Sequence, residues 1–176
     1  MKKENKKCSL ILLTGFPNAG KSTLLNSLIK KKVSIVSPKV QTTKDEISGI
    51  LNQKETQLIF TDTPGLINQK KFNQKKMSRT ILNQELRIDI NLFIYDIQRN
   101  INRRDLSLII DLSKRFNKNY LILNKIDLVG KKRFLEISKK LNSEVNFKET
   151  FMISAKKKKG IKLLINKLIF KAPRRQ

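Results

Sequence analysis

The chain has 176 residues, with 39 lysines and arginines against 14 aspartates and glutamates, a net charge of +25, no histidine and one cysteine. That length suits a single α/β domain whose core is large enough to fold without staples, and a lone Cys8 without histidine excludes both a disulfide framework and a Cys/His zinc site built from these side chains. The cation excess suits a polyanion, nucleic acid or an anionic membrane surface, through counterion release, although lysine and asparagine abundance of this kind also follows from an AT-rich genome and needs no ligand.

Residues 1–8 read as a basic N-terminal extension. The apolar run 10–13 behind it is far too short for a signal-peptide core or a membrane span, so neither export nor a transmembrane helix is expected. A cytoplasmic protein follows, with peripheral contact at the inner face of the plasma membrane as the alternative that the charge allows. Cys8, at the start of an apolar strand, is expected to be a buried or half-buried thiol.

Apolar runs of strand length recur at 10–13, 47–51, 58–60, 92–95, 120–123 and 151–153. Between them, 22–31, 74–86, 103–116, 131–141 and 161–170 carry apolar residues at three- and four-residue spacing, the pattern of amphipathic helices. Strands alternating with helices predict a mostly parallel sheet covered on both faces. Only 47–51 and 58–60 are joined by a connection too short for a crossover, which predicts one antiparallel pair. The predicted domain runs from 9 to 171, with 172–176 a basic tail.

The first chemical motif opens the first predicted helix. Gly15-Phe16-Pro17-Asn18-Ala19-Gly20-Lys21-Ser22 satisfies the phosphate-loop pattern and has a strand before it and a helix after it. Glycines let backbone N–H groups turn inward around the α- and β-phosphates at the positive helix end, Lys21 adds a point charge between the β- and γ-phosphates, and the Ser22 hydroxyl suits Mg²⁺. Asp62-Thr63-Pro64-Gly65 follows the third strand. Its carboxylate would hold Mg²⁺ through water and the Gly65 N–H would meet the γ-phosphate. Between these two motifs, residues 33–45 are without helical period, and a threonine there is expected to complete the Mg²⁺ shell when the γ-phosphate is present; Thr43 is assigned and Thr42 is the alternative.

The base is chosen further along. Asn124-Lys125-Ile126-Asp127 ends the fifth strand, and the Asp127 carboxylate can accept from guanine N1–H and the 2-amino group together. Adenine offers a lone pair at N1 and no such amino group, which would leave that carboxylate unpaired. Ser154-Ala155-Lys156 ends the sixth strand and would present the Ala155 N–H to guanine O6. GTP and GDP are the expected ligands, with lysine clusters at 2–7, 30–32, 70–76 and 156–159 and Arg174/Arg175 placed to meet RNA phosphates.

Together, Gly15 to Thr23, Gln41-Thr42-Thr43 ahead of Lys44, Asp62 to Leu66 and Leu24-Leu25-Asn26 resemble the Era-like members of the translation-factor-related P-loop GTPases, over about 10–170. The resemblance implies an α/β P-loop fold with a six-stranded, mostly parallel sheet, hydrolysis of GTP as a monomeric switch, and a role on ribosomal RNA and the small ribosomal subunit. Relatives such as the tRNA-modifying GTPase MnmE and the double GTPase Der share the P-loop but carry Gly-x-Thr-Arg-Asp where this chain has Gln41 to Asp45. It further implies slow intrinsic hydrolysis, because Leu66 stands where many small GTPases have a water-orienting glutamine. Asn18 matches a P-loop asparagine that helps coordinate K⁺ in MnmE-like relatives, a cap of the loop being the alternative. Era-like proteins also carry a KH domain, and no Gly-x-x-Gly clamp occurs in these 176 residues, so a KH domain is not expected within them.

Overall fold

The computed structural model describes residues 6–29, 47–62 and 87–174. Among these, six strands form one sheet in the order β2-β3-β1-β4-β5-β6, where β1 is Lys7–Gly15, β2 Ile47–Gln53, β3 Thr56–Asp62, β4 Ile90–Asp96, β5 Asn119–Asn124 and β6 Glu149–Met152. The helices are α1 (Lys21–Ile29), α2 (Arg103–Ser113), α3 (Lys131–Glu144) and α4 (Ile161–Lys171), with a single 3-10 turn at Ile126–Leu128. Every strand pair is parallel except β2 with β3, as the short connection predicts.

The period-two alternation of the strands sorts the core into two clusters. Ile11, Leu13, Leu92, Ile94 and Ile122 pack with Leu24 and Leu28 of α1 and Leu164 and Leu168 of α4. Their chain neighbours Leu12, Phe93, Tyr95, Leu121 and Leu123 face the other way, onto Ile109 and Leu112 of α2 and Ile137 and Leu141 of α3. Such strands read as continuous apolar runs because both faces are covered. Beside this apolar packing runs a buried polar ladder across three strands: the Thr14 hydroxyl donates to Asn91 Oδ1 at 2.7 Å, and Asn91 Nδ2 donates to Asn119 Oδ1 at 2.9 Å. Asn119 in turn donates to the carbonyls of Ser113 and Phe116, so each amide in the row is matched.

Several element ends differ from the sequence reading, for reasons visible in the backbone. β1 starts at Lys7 because that residue pairs with Thr56, inside the segment read as an extension. β2 and β3 run further toward each other than expected, closing on a two-residue turn in which Lys54 takes φ of 51°. β6 begins at Glu149, before the apolar run, because backbone pairing with Tyr120 ignores side-chain polarity. Helix α2 ends at Ser113, three residues early, and the chain turns so that Phe116 packs into the core. Helix α3 continues to Glu144. The tail returns to the start of β1, where Cys8 N donates to the Pro173 carbonyl at 3.1 Å and Lys7 bridges Arg174; Cys8 itself is half-buried and unpaired in any disulfide. The helix predicted at 74–86 lies outside the described residues.

β1 occupies the middle of the order, with strands added on both sides of it. Its C-terminal edge is therefore where the strand order reverses, the place at which open α/β sheets take their ligands.

Candidate nucleotide site

Five strand ends, those of β3, β1, β4, β5 and β6, lie at that edge. β1 runs into the loop 16–20 and then α1, and the loop is shaped by backbone that ordinary residues avoid: Gly15 has φ of +144°, Gly20 +95° and Asn18 63°. A Cβ on Gly15 would stand 2.2 Å from the Ile94 carbonyl oxygen, and one on Gly20 would stand 2.3 Å from Asn124 Nδ2. Neither position accepts a side chain. Asparagine tolerates the left-handed region better than most residues, which suits Asn18 where it stands, exposed next to the exposed Pro17. The Lys21 ammonium folds back over the loop and donates to the carbonyls of Gly15 at 3.0 Å and Phe16 at 3.1 Å. Ser22 and Thr23 are exposed in the first turn of α1, beside the positive end of its dipole.

Asn124 joins this loop to the two segments that follow β5 and β6. Its Nδ2 donates to the Ala19 carbonyl at 2.8 Å and its Oδ1 accepts the Ala155 N–H at 3.0 Å. The Ala155 N–H is the donor expected at guanine O6. In the structure that hydrogen is taken by Asn124, so a base oxygen at this position has to share it or draw it away. Ser27 of α1 closes the same seam, with its hydroxyl 2.7 Å from the Ala155 carbonyl oxygen and 2.8 Å from that of Thr23.

Lys125 takes the left-handed conformation at φ of 67° and starts the 3-10 turn that carries Asp127. Its ammonium lies 2.6 Å from Asp96 Oδ2, at the end of β4. The Asp127 carboxylate is held below the usual carboxylate range first by a hydrogen bond from the Ser154 side chain, with further contributions from its own backbone and from Lys157. Lys157 Nζ stands 3.7 Å from Asp127 Oδ2. An ionised acceptor at this position suits a ligand that offers two adjacent N–H donors. Ser154, itself fully buried, also accepts the Lys157 N–H at 3.1 Å, and the turn 154–159 is closed by paired bonds between Ser154 and Lys159. Lys156 is exposed on this turn.

Asp62 closes β3 in register with Leu13, two residues before Gly15. Thr42, Thr43, Thr63, Pro64, Gly65 and Leu66 lie outside the described residues. Among the described ones, the structure brings Gly15, Ala19, Gly20, Lys21, Asn124, Lys125, Asp127, Ser154 and Ala155 together through direct bonds or close contacts. Three participants were missed in the sequence. Asp96 ends an apolar strand at the ligand edge just as Asp62 does, a signal that could have found it. Arg99 and Ser27 had no such signal, because one lies in an irregular segment and the other looks like a polar residue on an exposed helix face.

A protein-family model described as "50S ribosome-binding GTPase" matches residues 10–125. GTPase Era of Mesorhizobium japonicum is 41% identical over 159 residues, which is 90% of this chain and 51% of that protein. GTPase Era of Afipia carboxidovorans is 34% identical over 155 residues, 88% of this chain and 50% of that protein. Among solved structures, a variant of Era from Aquifex aeolicus bound to GDP and AlF4⁻ superposes with a TM-score of 0.74 at 32% identity, covering 97% of this chain and 58% of that one. Era in complex with MgGDPNP and a segment of 16S ribosomal RNA gives the same TM-score, 0.74, over 97% of this chain and 59% of that one. The chain thus spans about half the length of the curated relatives it matches. With its P-loop, its Asn-Lys-x-Asp turn and 116 of its residues inside the family match, the chain belongs to the family of ribosome-binding P-loop GTPases and corresponds to the GTPase domain of its Era members.

Proposed function

We propose that this domain binds GTP and GDP, hydrolyses GTP to GDP and phosphate, and acts as a nucleotide-dependent switch in assembly of the small ribosomal subunit. The observation that carries the reading is the seam made by Asn124, which bonds the phosphate loop at Ala19 and the base-end loop at Ala155 at once. A nucleotide reaching from Lys21 to Asp127 crosses that seam. Support for the ribosomal partner comes from the Era relative bound to 16S ribosomal RNA.

The chain's own groups do positioning and charge work. Backbone N–H groups of the loop at Asn18 and Gly20 and those of the α1 terminus hold the phosphates, Lys21 supplies positive charge where negative charge gathers during transfer, and Asp127 fixes the base. Ser22, in the opening turn of α1, and Thr43 would hold Mg²⁺ directly, and Asp62, at the end of β3, would hold it through water. Bound there, Mg²⁺ would neutralise phosphate charge. Leu66 cannot hydrogen-bond a water, so turnover is slow without a partner or K⁺ held at Asn18. Contact with RNA through the exposed lysines of 156–159 and Arg174 is with phosphates, hence tolerant of sequence and steeply weakened by salt.

Phosphate release from GTP, measured with Na⁺ or K⁺ and with or without small ribosomal subunits, tests this. Slow turnover raised by subunits is expected. Absence of turnover under every condition would refute hydrolysis and leave a guanine-nucleotide-dependent interaction module.

A further inference from the structure

We propose that Asp96 is a positioning residue of the base subsite, acting through Lys125. The inference rests on the guanine-nucleotide reading above and names a residue that the P-loop and the Asn-Lys-x-Asp turn do not contain.

Asp96 is the last residue of β4 and is in register with Asn124 of β5. Both of its oxygens are committed. Oδ2 stands 2.6 Å from the Lys125 ammonium, and Oδ1 accepts the Gln98 N–H at 3.0 Å. The pair is half-buried, with side-chain exposures of 18% for Asp96 and 30% for Lys125, so it is less screened than a surface ion pair. Lys125 is held at its backbone too: Leu128 N donates to its carbonyl at 3.0 Å and the adjacent Ile126 N donates to the Ile153 carbonyl at 3.2 Å.

With both ends fixed, the four-carbon stem of Lys125 becomes a rigid apolar bar along the C-terminal ends of β4 and β5. It leaves the backbone between Asn124, which grips the phosphate loop, and Asp127, which reads the base edge. A purine whose edge reaches Asp127 has its ring against that bar. Without Asp96 the ammonium would be free to seek water on a flexible stem, and binding a base would require the stem to be ordered again, which lowers affinity without removing any contact made by the base itself. Because a stem under the ring does not sense the groups on the ring's edge, Asp96 matters equally for GDP and for IDP, which lacks the 2-amino group.

The test is calorimetric binding of GDP and IDP to the wild-type chain, Asp96→Asn, Lys125→Met and the double variant, with thermal melting to check folding. Asparagine keeps an acceptor for the Gln98 N–H and loses the charge. The expected result is a loss of about tenfold for both nucleotides in Asp96→Asn, so that the GDP/IDP ratio stays at its wild-type value. For GTP hydrolysis, KM rises while kcat stays within about twofold, as expected when ground and transition states lose binding alike. In the Lys125→Met background, Asp96→Asn costs nothing further, since it acts only through the lysine. Three results would each overturn the proposal: unchanged affinity in Asp96→Asn or in Lys125→Met, a loss confined to GDP, or the same loss with and without Lys125. Lys125→Met breaks the pair from its other end and decides the matter should Asp96→Asn fail to fold. A wild-type chain that binds neither nucleotide would sink the nucleotide reading itself, before Asp96 is in question.

Discussion

The Arg99 guanidinium lies 4.4 Å above the ring of Phe16, the second residue of the phosphate loop. It is held there by two bonds to Asp105, from Nε at 3.0 Å and from a terminal nitrogen at 2.9 Å, and that carboxylate is almost fully buried. The same Phe16 ring packs edge-on against Phe93 and Tyr95, and its carbonyl accepts from Lys21. The loop that cradles phosphate is thus anchored from below by a charge pair on the α2 side.

Arg99→Ala should therefore destabilise the domain by about 3 kcal/mol, because it leaves a buried carboxylate without its cation. Arg99→Lys should recover little, since an ammonium cannot reproduce the two-toothed bond or lie flat on a ring. Urea unfolding measures both. A loss below about 0.5 kcal/mol for Arg99→Ala would mean that Asp105 is satisfied by other means.

A second prediction concerns Asn124. Asn124→Ala strands the Ala19 carbonyl and the Ala155 N–H, both in buried residues. The cost is about 2 kcal/mol even without nucleotide, and GDP affinity falls as well. Melting of the nucleotide-free protein separates the two effects. Unchanged melting with reduced GDP binding would make Asn124 a ligand contact only, with no part in holding the loops together.

Third, burial pushes the Tyr95 hydroxyl up to about 12, and in its neutral form it donates to the Arg99 carbonyl at 3.1 Å. A phenol whose folded pKa lies above the unfolded value of about 10 contributes stability fully present below pH ~10 and lost as pH rises from ~10 to ~12. Wild type should be as stable as Tyr95→Phe or slightly more so at pH ~8, and less stable by about 1 kcal/mol at pH ~11.5, once about 2 kcal/mol has been lost against a hydrogen bond worth about 1. Comparing both proteins in urea at the two pH values cancels the general effect of lysine deprotonation. An identical gap at both would contradict the buried-phenol account.

Much of this was legible in the sequence because the fold and the phosphate loop depend on local pattern. The apolar runs gave all six strands, and the short connection gave the antiparallel pair. Gly15 and Gly20 were identifiable as backbone positions because the motif spacing required them, and the structure supplies the reason each must stay bare, the Ile94 carbonyl and the Asn124 amide. What the sequence could not reveal were partners separated by long stretches of chain. The Ala155 N–H, expected at guanine O6, also donates to Asn124 Oδ1, 31 residues away. Asp96 and Lys125 are 29 residues apart and meet only because β4 and β5 end side by side.

The Asn18 prediction comes from the resemblance and from its backbone. Asn18 holds φ of 63° with its side chain exposed at the mouth of the loop. If that side chain helps hold K⁺, hydrolysis runs faster in K⁺ than in Na⁺ and Asn18→Ala removes the difference. Equal rates in the two salts would leave Asn18 as a residue chosen for its tolerance of the left-handed region.

In the site proposed above, Asp127 selects guanine at one end and the loop around Lys21 holds the phosphates at the other. Calorimetric titration of wild type and Asp127→Asn with GDP and XDP tests it most directly. Wild type is expected to prefer GDP by orders of magnitude and Asp127→Asn to reverse the preference, because the new amide N–H opposes the guanine 2-amino group but can donate to the 2-oxo group that xanthine carries in its place, while the amide oxygen still accepts from N1–H of either base. Wild-type GDP affinity in a folded Asp127→Asn protein would contradict it and remove Asp127 from the site.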